Sequence, residues 1–274
     1  MKLFLFLLTF FSIIFSRSFS FELENIDEGV YVHFGKQEDS NKLNTGDIAN
    51  IGFIVGSESI AVIDTGASVK IGKKMYTMIK KISKLPISHI IITHSHPDHF
   101  MGTEAFIKDK PIIIGHENLN RSLINNFEFY KALQFNLTKD ESIKSTKLVL
   151  ANKLIKKNNS LKINLGGKHL IIKAWSSGHT DNDLSIYDEN SKIFWSENIF
   201  VDRIPSIRAS IKGWQKNLNE ILKLDIKKII PGHGPIMSKN EAISPMINYF
   251  DQLISEVRNF HKKSKSLDYV LKNI

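Results

Sequence analysis

Short runs of apolar residues separated by turn-forming residues dominate the first part of the chain, and this pattern predicts β-strands. Residues 29–35 read GVYVHFG and contain the Val-Tyr-Val centre of a strand. Two further apolar runs, residues 51–55 and 60–63, flank Gly56-Ser57 and predict a hairpin that turns at this pair. The first part of the chain is therefore expected to begin with paired strands.

The spacing of apolar residues changes after the hairpin. In residues 68–85 apolar side chains recur at helical intervals, and Pro86 is expected to end the helix that they predict. Residues 87–92 (ISHIII) and residues 111–115 (PIIIG) are almost wholly apolar and predict buried strands. A polar, irregular stretch near residues 138–147 separates the two parts of the chain.

The second part shows a similar order of elements. Residues 161–175 and 184–196 predict two hairpins, and the first of these turns at a Gly-Gly pair. Residues 212–224 and 240–263 predict helices, and residues 226–235 predict a strand that ends in a loop. Two mixed sheets packed face to face, with helices on the outside, accommodate this order around one core. We therefore predict a single α/β domain.

The N-terminus has the pattern of an export signal. Lys2 precedes the apolar residues 3–15, and a Ser-Phe-Ser segment then offers small residues for a cleavage point. The apolar run falls within the ~7–15 residues of a signal peptide and is short of the ~20 that span a bilayer. We predict a cleaved signal over residues 1–20 and a periplasmic domain over residues 21–274 without stable membrane insertion. An uncleaved anchor is the alternative.

The composition narrows the classes of function. Among 274 residues, 42% are hydrophobic, which is ample for a packed core, and none is cysteine. Any metal site must therefore use histidine, aspartate or glutamate. The formal net charge is +9, but the basic residues are scattered and are not interleaved with aromatic residues. A nucleic-acid-binding face concentrates its positive charge, so we expect no nucleic-acid partner.

A dense group of titratable residues, THSHPDHFMG, begins directly after the apolar run ISHIII. Four potential ligands fall within six positions: His94, His96, Asp98 and His99. Imidazoles and a carboxylate suit zinc or a similar ion. Alternate residues of an extended segment share one side, so His94 and His96 converge, and the intervening proline turns the chain toward a second point. The segment therefore predicts a metal site.

Two further histidines lie in loops directly after predicted strands. His179 is found in SSGHTDND and His233 in PGHGP, each beside a glycine that permits close approach of the backbone. These two are expected to complete the ligand set. His116 follows a strand but has no companion signal, and the histidines inside strand or helix patterns are expected to be structural or exposed: His33, His89, His169 and His261.

The combination of these motifs resembles the metallo-β-lactamase superfamily. The segments that carry the resemblance are HSHPDH (residues 94–99), GHT (178–180), GHG (232–234) and VIDTG (62–66), and the resemblance covers about residues 27–260. It implies a four-layer αββα sandwich with the site at one edge between the sheets. The segments YVHFGKQE, GDIANIGFIVG and HTDNDLS are most similar to the exported zinc metallohydrolases of quinoprotein relay systems. That finer similarity implies a partner in a periplasmic oxidation system.

By position, the resemblance implies two zinc sites, the first held by three histidines and the second by an aspartate and two histidines: His94, His96 and His179, then Asp98, His99 and His233. Asp64 is expected to support a ligand, because a carboxylate fixes the tautomer of a ligating histidine. A bound Zn²⁺ lowers the pKa of its water from 15.7 to about 7 and so provides hydroxide at neutral pH. Asp98 is expected to hold the proton of that water and pass it to the leaving group.

One position departs from the family pattern. The family places an aspartate between the two ions, and the corresponding segment here is WSENIF, with Asn198 at that position. A neutral amide is a poorer ligand than a carboxylate. Glu197 is adjacent, but successive residues of a strand point to opposite faces. We therefore expect one tight zinc and a second that is weaker or absent.

The chemistry that this site implies is hydrolysis of an ester, thioester, lactone or amide bond in a small-molecule substrate. β-Lactams are disfavoured, because Val201 stands where some lactamases keep a lysine for the antibiotic carboxylate, and the first basic residue is Arg203. Arg203 binds an anionic substrate or pairs with a surface carboxylate. Two other functions stay open: a non-catalytic zinc-binding accessory protein, and an iron-dependent sulfur oxidoreductase of the same fold.

Overall fold

The computed structural model describes residues 21–201 and 203–273, so the predicted signal peptide over residues 1–20 lies outside the described residues. The strands in chain order are β1 Glu24–Asp27, β2 Val30–His33, β3 Ile51–Val55, β4 Ile60–Ile63, β5 Ile87–Ile91, β6 Ile112–His116, β7 Lys153–Ile155, β8 Ser160–Asn164, β9 His169–Ala174, β10 Leu184–Asp188, β11 Ile193–Phe200 and β12 Lys228–His233. The helices are α1 Val69–Ile82, α2 Pro97–Phe100, α3 Leu119–Thr138, α4 Ile211–Ile221, α5 Lys239–Lys262 and α6 Leu267–Asn273, with 3₁₀ helices at Thr103–Asp109 and Glu141–Ser145.

The strands form two mixed sheets that divide the chain between β7 and β8. The first sheet has the order β1-β2-β3-β4-β5-β6-β7, and the second has the order β12-β11-β10-β9-β8. Strands β1 to β4 pair antiparallel, whereas β4 to β7 pair parallel. In the second sheet β11 and β12 run parallel, and the other pairs are antiparallel. The predicted hairpins at β3–β4, β8–β9 and β10–β11 are confirmed.

Alternation of side chains along the strands builds the layers. In β4, Ile60 and Val62 belong to a core shared with α1 and α3, whereas Ala61 and Ile63 belong to a core between the two sheets. A third core joins the second sheet to α4 and α5, and Trp214 is fully buried within it. Apolar surface buried on both faces of each sheet stabilises this arrangement. The predicted αββα sandwich is confirmed.

Helix α3 has no counterpart among the predicted elements. Leu123 and Phe127 are buried beneath it, but Phe129, Leu133 and Leu137 remain substantially exposed on its other side. Apolar residues on both sides weaken the helical periodicity that the sequence pattern depends on. Within the part of the chain that the structure describes, no helix is long and apolar enough to cross a membrane.

Candidate metal centre

The histidine-rich segment changes direction at Pro97. The backbone of His96 is extended (φ −76°, ψ 145°), and the single-turn helix α2 begins at Pro97, whose fixed φ suits the first position of a helix. His94 and His96 therefore lie on the extended part, and Asp98 and His99 on the helical turn. This is the turn that the sequence predicts, and it directs the four side chains to two adjacent points.

The first point gathers His94, His96 and His179, whose potential ligand atoms lie within 4.8 Å of one another. The Nε2 atom of His179 is 3.1 Å from His96 Nδ1. The Nδ1–H group of His179 donates to the carbonyl oxygen of Ser206 at 2.8 Å. That bond fixes the tautomer and leaves Nε2 with a free lone pair toward the cluster.

The second point gathers Asp98, His99 and His233, again with ligand atoms within 4.8 Å of one another. The Oδ2 atom of Asp98 lies 3.3 Å from His99 Nε2 and 3.4 Å from His233 Nε2. The Nδ1–H group of His233 donates to the Ile48 carbonyl oxygen at 2.8 Å, which directs its Nε2 into the cluster. The structure thus groups the six predicted ligands into the two sets that the resemblance implies.

Asp64 lies beneath this second set and is fully buried. Its Oδ2 accepts from the Nδ1–H group of His99 at 2.8 Å and from the Thr93 hydroxyl at 2.7 Å, and its Oδ1 accepts from the Thr93 N–H group at 2.8 Å. The residue has a left-handed backbone (φ 55°), which is uncommon for a residue with a side chain. Asp64 therefore orients His99 in the way the predicted supporting role requires.

The geometry corrects the expectation that Glu197 points away from the centre. Glu197 is 1% exposed, and its Oε2 lies 3.2 Å from His99 Nε2. With His94 and His99 it forms a third group of converging ligand atoms. Both polar atoms of the buried Asn198 side-chain amide make no hydrogen bond either. The structure thus brings the Glu197 carboxylate into the centre, which regular alternation does not predict.

A β-bulge explains this reversal. Strand β11 pairs with β12 through Ser196 and Pro231, and the next matched pair is Phe200 with His233, so β11 has extra residues between the two pairs. Strict alternation of side chains ends at such a bulge, and side chains are directed to new points. The expectation of a weak or absent second metal rested on Asn198 and on regular alternation, and the register shift removes the second of these two grounds.

Gly232 makes room for the Glu197 carboxylate. A Cβ atom added to Gly232 would overlap Oε2 of Glu197 and would also be too close to Oε1. The φ of Gly232 is not in the left-handed region, so the glycine is required by its packing against the Glu197 carboxyl group and not by its backbone conformation. Any larger residue at position 232 must displace the Glu197 side chain.

Burial sets the protonation of most of the histidines. It is the main cause that lowers the pKa of His94, His96, His179 and His233, to about 4 for His96 and for His233. Burial opposes protonation of His99 as well, but three surrounding carboxylates, Glu197 foremost, raise its pKa well above the usual value. Burial raises the pKa of Glu197 well above its usual value. Neutral imidazoles and ionised carboxylates are the forms that bind divalent cations, so a bound cation would displace protons from His99 and Glu197.

The donor atoms at the centre fit a bound metal. Four buried histidine and carboxylate atoms at the centre make no hydrogen bond, in addition to the two amide atoms of Asn198: His94 Nε2, His99 Nε2, and Oε1 and Oε2 of Glu197. Buried polar atoms are almost always paired, so orphaned lone pairs that converge on common points are expected of ligands. Neutral nitrogen donors with carboxylate oxygens match zinc and other borderline ions. The sulfur-free donor set also agrees with the absence of cysteine.

A cleft of about 400 Å³ opens onto the centre and is lined by His96, Asp98, His179 and His233. Arg203 lies on its wall, and its guanidinium is bound to the carboxylate of Asp39 at 2.9 Å. This contact agrees with the surface-pairing alternative for Arg203. His116 contacts the Trp175 carbonyl oxygen at 3.1 Å and accepts from the N–H group of Asn118, and it belongs to none of the ligand groups of the described residues.

Three residues at the site have no role in the sequence-based prediction. Regular alternation along the sequence directs Glu197 away from the centre, because the bulge in β11 has no signal in the local sequence. Tyr130 and Arg208 line the cleft, but Tyr130 belongs to the unpredicted helix α3 and Arg208 lies in a loop after β11. Arg208 is held beside the ligand loop, since its backbone N–H group donates to the His179 carbonyl oxygen at 3.0 Å.

The fold and these ligand groups together define an α/β sandwich with a candidate metal centre. The family model of the metallo-β-lactamase superfamily matches residues 44–233, which is more than half of the chain. The chain therefore belongs to the metallo-β-lactamase superfamily.

Solved structures of this fold cover most of the chain. The metallo-β-lactamase from Pontibacter korlensis is 18% identical and superimposes with a TM-score of 0.67, covering 84% of this chain and 98% of that one. The metallo-β-lactamase FIM-1 from Pseudomonas aeruginosa, in its mono-zinc form, is 17% identical with a TM-score of 0.67, covering 85% and 95% respectively. At such identities the similarity shows the fold.

Two curated relatives match parts of the sequence. The linear primary-alkylsulfatase of Pseudomonas sp. (strain ATCC 19151) is 39% identical over 62 residues, which are 23% of this chain and 12% of that protein. The β-lactamase-like protein 2 homolog of Caenorhabditis elegans is 22% identical over 179 residues, or 65% of this chain and 52% of that protein. The chain thus spans about half or less of the length of these relatives.

Proposed function

We propose that this protein is a zinc-dependent hydrolase that cleaves an ester, thioester, lactone or amide-type bond in a small-molecule substrate. The observation that carries the proposal is the set of orphaned donor atoms of His94, His99 and Glu197, which converge beside two complete ligand groups at the base of an open cleft. A centre with this composition, reached directly from solvent, is suited to chemistry on a bound substrate and not only to structural stabilisation.

The described residues assign a separate task to each part of the centre. Zinc, when bound, polarises a carbonyl group and makes water a competent nucleophile at neutral pH. Asp98 lines the cleft and is 7% exposed, so its carboxylate is within reach of substrate and water. Burial opposes ionisation of Asp98, but the neighbouring His99 and His233 hold its pKa well below the usual value, so the carboxylate is ionised and can hydrogen-bond to water.

The proposed reaction balances without a further reactant. The oxygen of water forms a bond to the acyl carbon, and the bond from that carbon to the leaving oxygen, sulfur or nitrogen breaks. Asp98 takes a proton from the attacking water and gives it to the leaving atom, so that the carboxylate is regenerated. This scheme requires no serine or cysteine nucleophile.

We extend the proposal to two zinc ions per chain. His94, His96 and His179 would hold one ion, and Asp98, His99 and His233 the other, with Glu197 adding negative charge between them. Three carboxylates lie within or directly behind the two groups, since Asp64 is bound to His99. This charge offsets part of the repulsion between two divalent cations, and we therefore expect both sites to bind in the same range of affinity.

The cellular location and the partner of the protein are also proposals. The apolar N-terminal segment after Lys2 and the absence of cysteine support export to the periplasm. The similarity of YVHFGKQE and HTDNDLS to the metallohydrolases of quinoprotein relay systems supports a role accessory to a periplasmic quinoprotein oxidation system. Cell fractionation of the full-length chain, with mass measurement of its N-terminus, tests the first point. Recovery in the cytoplasm with an intact N-terminus would overturn it.

One experiment separates the hydrolase from the two alternatives. Protein purified from its own compartment is analysed for zinc and iron, and is then assayed on chromogenic esters, thioesters and lactams. We expect zinc and turnover that stops in a His96→Ala variant. Iron at near-stoichiometric amounts with little zinc would favour the oxidoreductase. Full zinc with no turnover on any of these substrates would favour the accessory protein.

A further inference from the structure

An apolar rim borders the cleft on the side of helix α3. Leu133 and Leu137 lie one turn apart on this helix and line the cleft, and they are 37% and 43% exposed. Ile204 lies in the loop after β11, also lines the cleft, and is 78% exposed. Large apolar side chains exposed together beside a binding site indicate that an apolar partner covers them. We refer to Leu133, Leu137 and Ile204 as the apolar rim.

The rim is continuous with the metal centre. The same cleft is lined by the rim and by His96 and Asp98, so a ligand can contact both without leaving it. This continuity favours a hydrocarbon chain of the substrate as the occupant. A separate protein segment on the rim would cover the mouth through which the substrate must enter.

A cation lies beside the apolar rim. Arg208 lines the cleft, and among the described residues no carboxylate lies within ion-pairing distance of its guanidinium. Arg203, by contrast, is engaged with Asp39. The backbone bond from Arg208 to the His179 carbonyl oxygen holds its loop against the metal centre. An arginine placed in this way suits a carboxylate, sulfate or phosphate group.

A second, polar chamber of about 560 Å³ adjoins the first, and His96, Tyr130, Leu133 and Arg208 line both chambers. The polar chamber is also lined by Asn182, which is 1% exposed and whose Oδ1 atom makes no hydrogen bond. Arg208 thus lines both the chamber that holds the apolar rim and the chamber that holds Asn182.

We propose that the substrate of this hydrolase is an anionic amphiphile. Its hydrocarbon chain lies along the apolar rim, its negative group is bound by Arg208, and its scissile bond lies between them at His96 and Asp98. The inference rests on the proposed hydrolase function for the position of the scissile bond. The binding of chain and anion is independent of turnover and is tested separately.

Binding is measured by calorimetry with hexane-, octane- and decanesulfonate, which carry the anion and the chain but contain no hydrolysable bond. For the zinc-loaded protein we expect the affinity to rise about twofold for each added methylene, roughly half of the effect of full burial, because the rim is open to solvent. Arg208→Met should weaken all three sulfonates by about tenfold. The double variant Leu133→Gln, Leu137→Gln should remove most of the dependence on chain length.

Matched controls lie outside the cleft. Ile124→Gln changes a residue of the same helix that is 58% exposed, and Arg258→Met changes an arginine of α5. Neither residue lines the two chambers, so both variants should bind like the unmodified protein. Nitrophenyl esters of increasing acyl length, with and without a carboxylate on the ring, report turnover. We expect a lower KM for long, anionic esters, and we expect Arg208→Met to remove the preference for the carboxylate.

The outcomes distinguish the inference from the proposed function. Sulfonate affinity that is independent of chain length, or that is unchanged in Arg208→Met and in the leucine double variant, overturns the inference whether or not esters are cleaved. Binding as expected without turnover supports the inference and counts against the hydrolase. Absence of sulfonate binding overturns the inference. If the protein then cosediments with phosphatidylglycerol vesicles and the leucine double variant does not, the rim is assigned to a membrane surface.

Discussion

Burial raises the pKa of Glu197 well above its usual value, so its carboxylate is charged when a bound cation keeps it ionised. Replacing Glu197 by glutamine removes that charge and preserves the shape of the side chain. The Oε2 atom lies 3.2 Å from His99 Nε2, and the side chain is 1% exposed, so its charge acts with little screening by water. If this carboxylate is shared between the two metal sites, Glu197→Gln should weaken the second ion most. The first ion keeps its three histidines and should be held more firmly.

The size of the effect follows from the charge. Two unit charges about 4 Å apart interact by about 4 kcal/mol at an effective dielectric constant of about 20, and a divalent ion doubles this attraction. The variant also avoids the cost of burying the carboxylate, which is several kcal/mol. A net loss of about 3 kcal/mol is left, and it corresponds to more than a hundredfold weaker binding of the second ion.

The assay is a calorimetric zinc titration of metal-free protein, together with zinc content after dialysis. The matched control is Asn198→Leu at the adjacent position, because leucine has the same branching and the same number of side-chain heavy atoms as asparagine. Because the Asn198 amide is neutral and makes no hydrogen bond, whereas the Glu197 carboxylate lies against His99, this variant should bind zinc like the unmodified protein. Equal second-site affinity in Glu197→Gln, with a large loss in Asn198→Leu, would show that the ligand assignment is reversed.

Three further predictions concern the same centre. Gly232→Ala should weaken the second zinc at least tenfold, because the new methyl group displaces the Glu197 carboxylate; zinc titration measures this, and unchanged affinity would contradict the packing argument. Asp64→Asn should weaken zinc binding by about 10–100-fold through loss of the charged hydrogen bond that orients His99, as the same titration would detect. At a zinc concentration of 100 Kd, bound zinc stabilises the folded state by about 2.7 kcal/mol. Removal of zinc by a chelator should therefore lower Tm by about 5–10 °C, and an unchanged Tm in thermal unfolding would contradict binding to the folded state.

The sequence is sufficient for those features that depend on local pattern. Strands β3 and β4 could be predicted because apolar runs flank a turn, and the direction of the metal-binding segment follows from Pro97 after alternating histidines. Helix α3 could not be predicted, because its exposed leucines face the cleft and obscure the buried face. The exposure of these leucines is explained only by the adjacent metal centre, which forms when segments distant in sequence come together in the fold.

The position of Glu197 illustrates a second limit. Regular alternation assigns the inward side chain of WSEN to Asn198, and nothing in the segment itself signals the extra residues in β11. The bulge results from pairing with β12, which lies about thirty residues further along the chain. The space for the carboxylate is likewise provided by Gly232 on that neighbouring strand. Such register shifts are properties of the assembled sheet.

The division of the chain into two sheets, each built from a continuous stretch of sequence, has a consequence for reassembly from fragments. A break in the loop between β7 and β8 would leave one piece with His94, His96 and Asp98 and another with His179 and His233. Neither piece holds a complete ligand group as the structure arranges them, and each leaves one face of its sheet uncovered. Zinc would therefore bind ligands from both fragments at once, and the association of the fragments should depend on the zinc concentration.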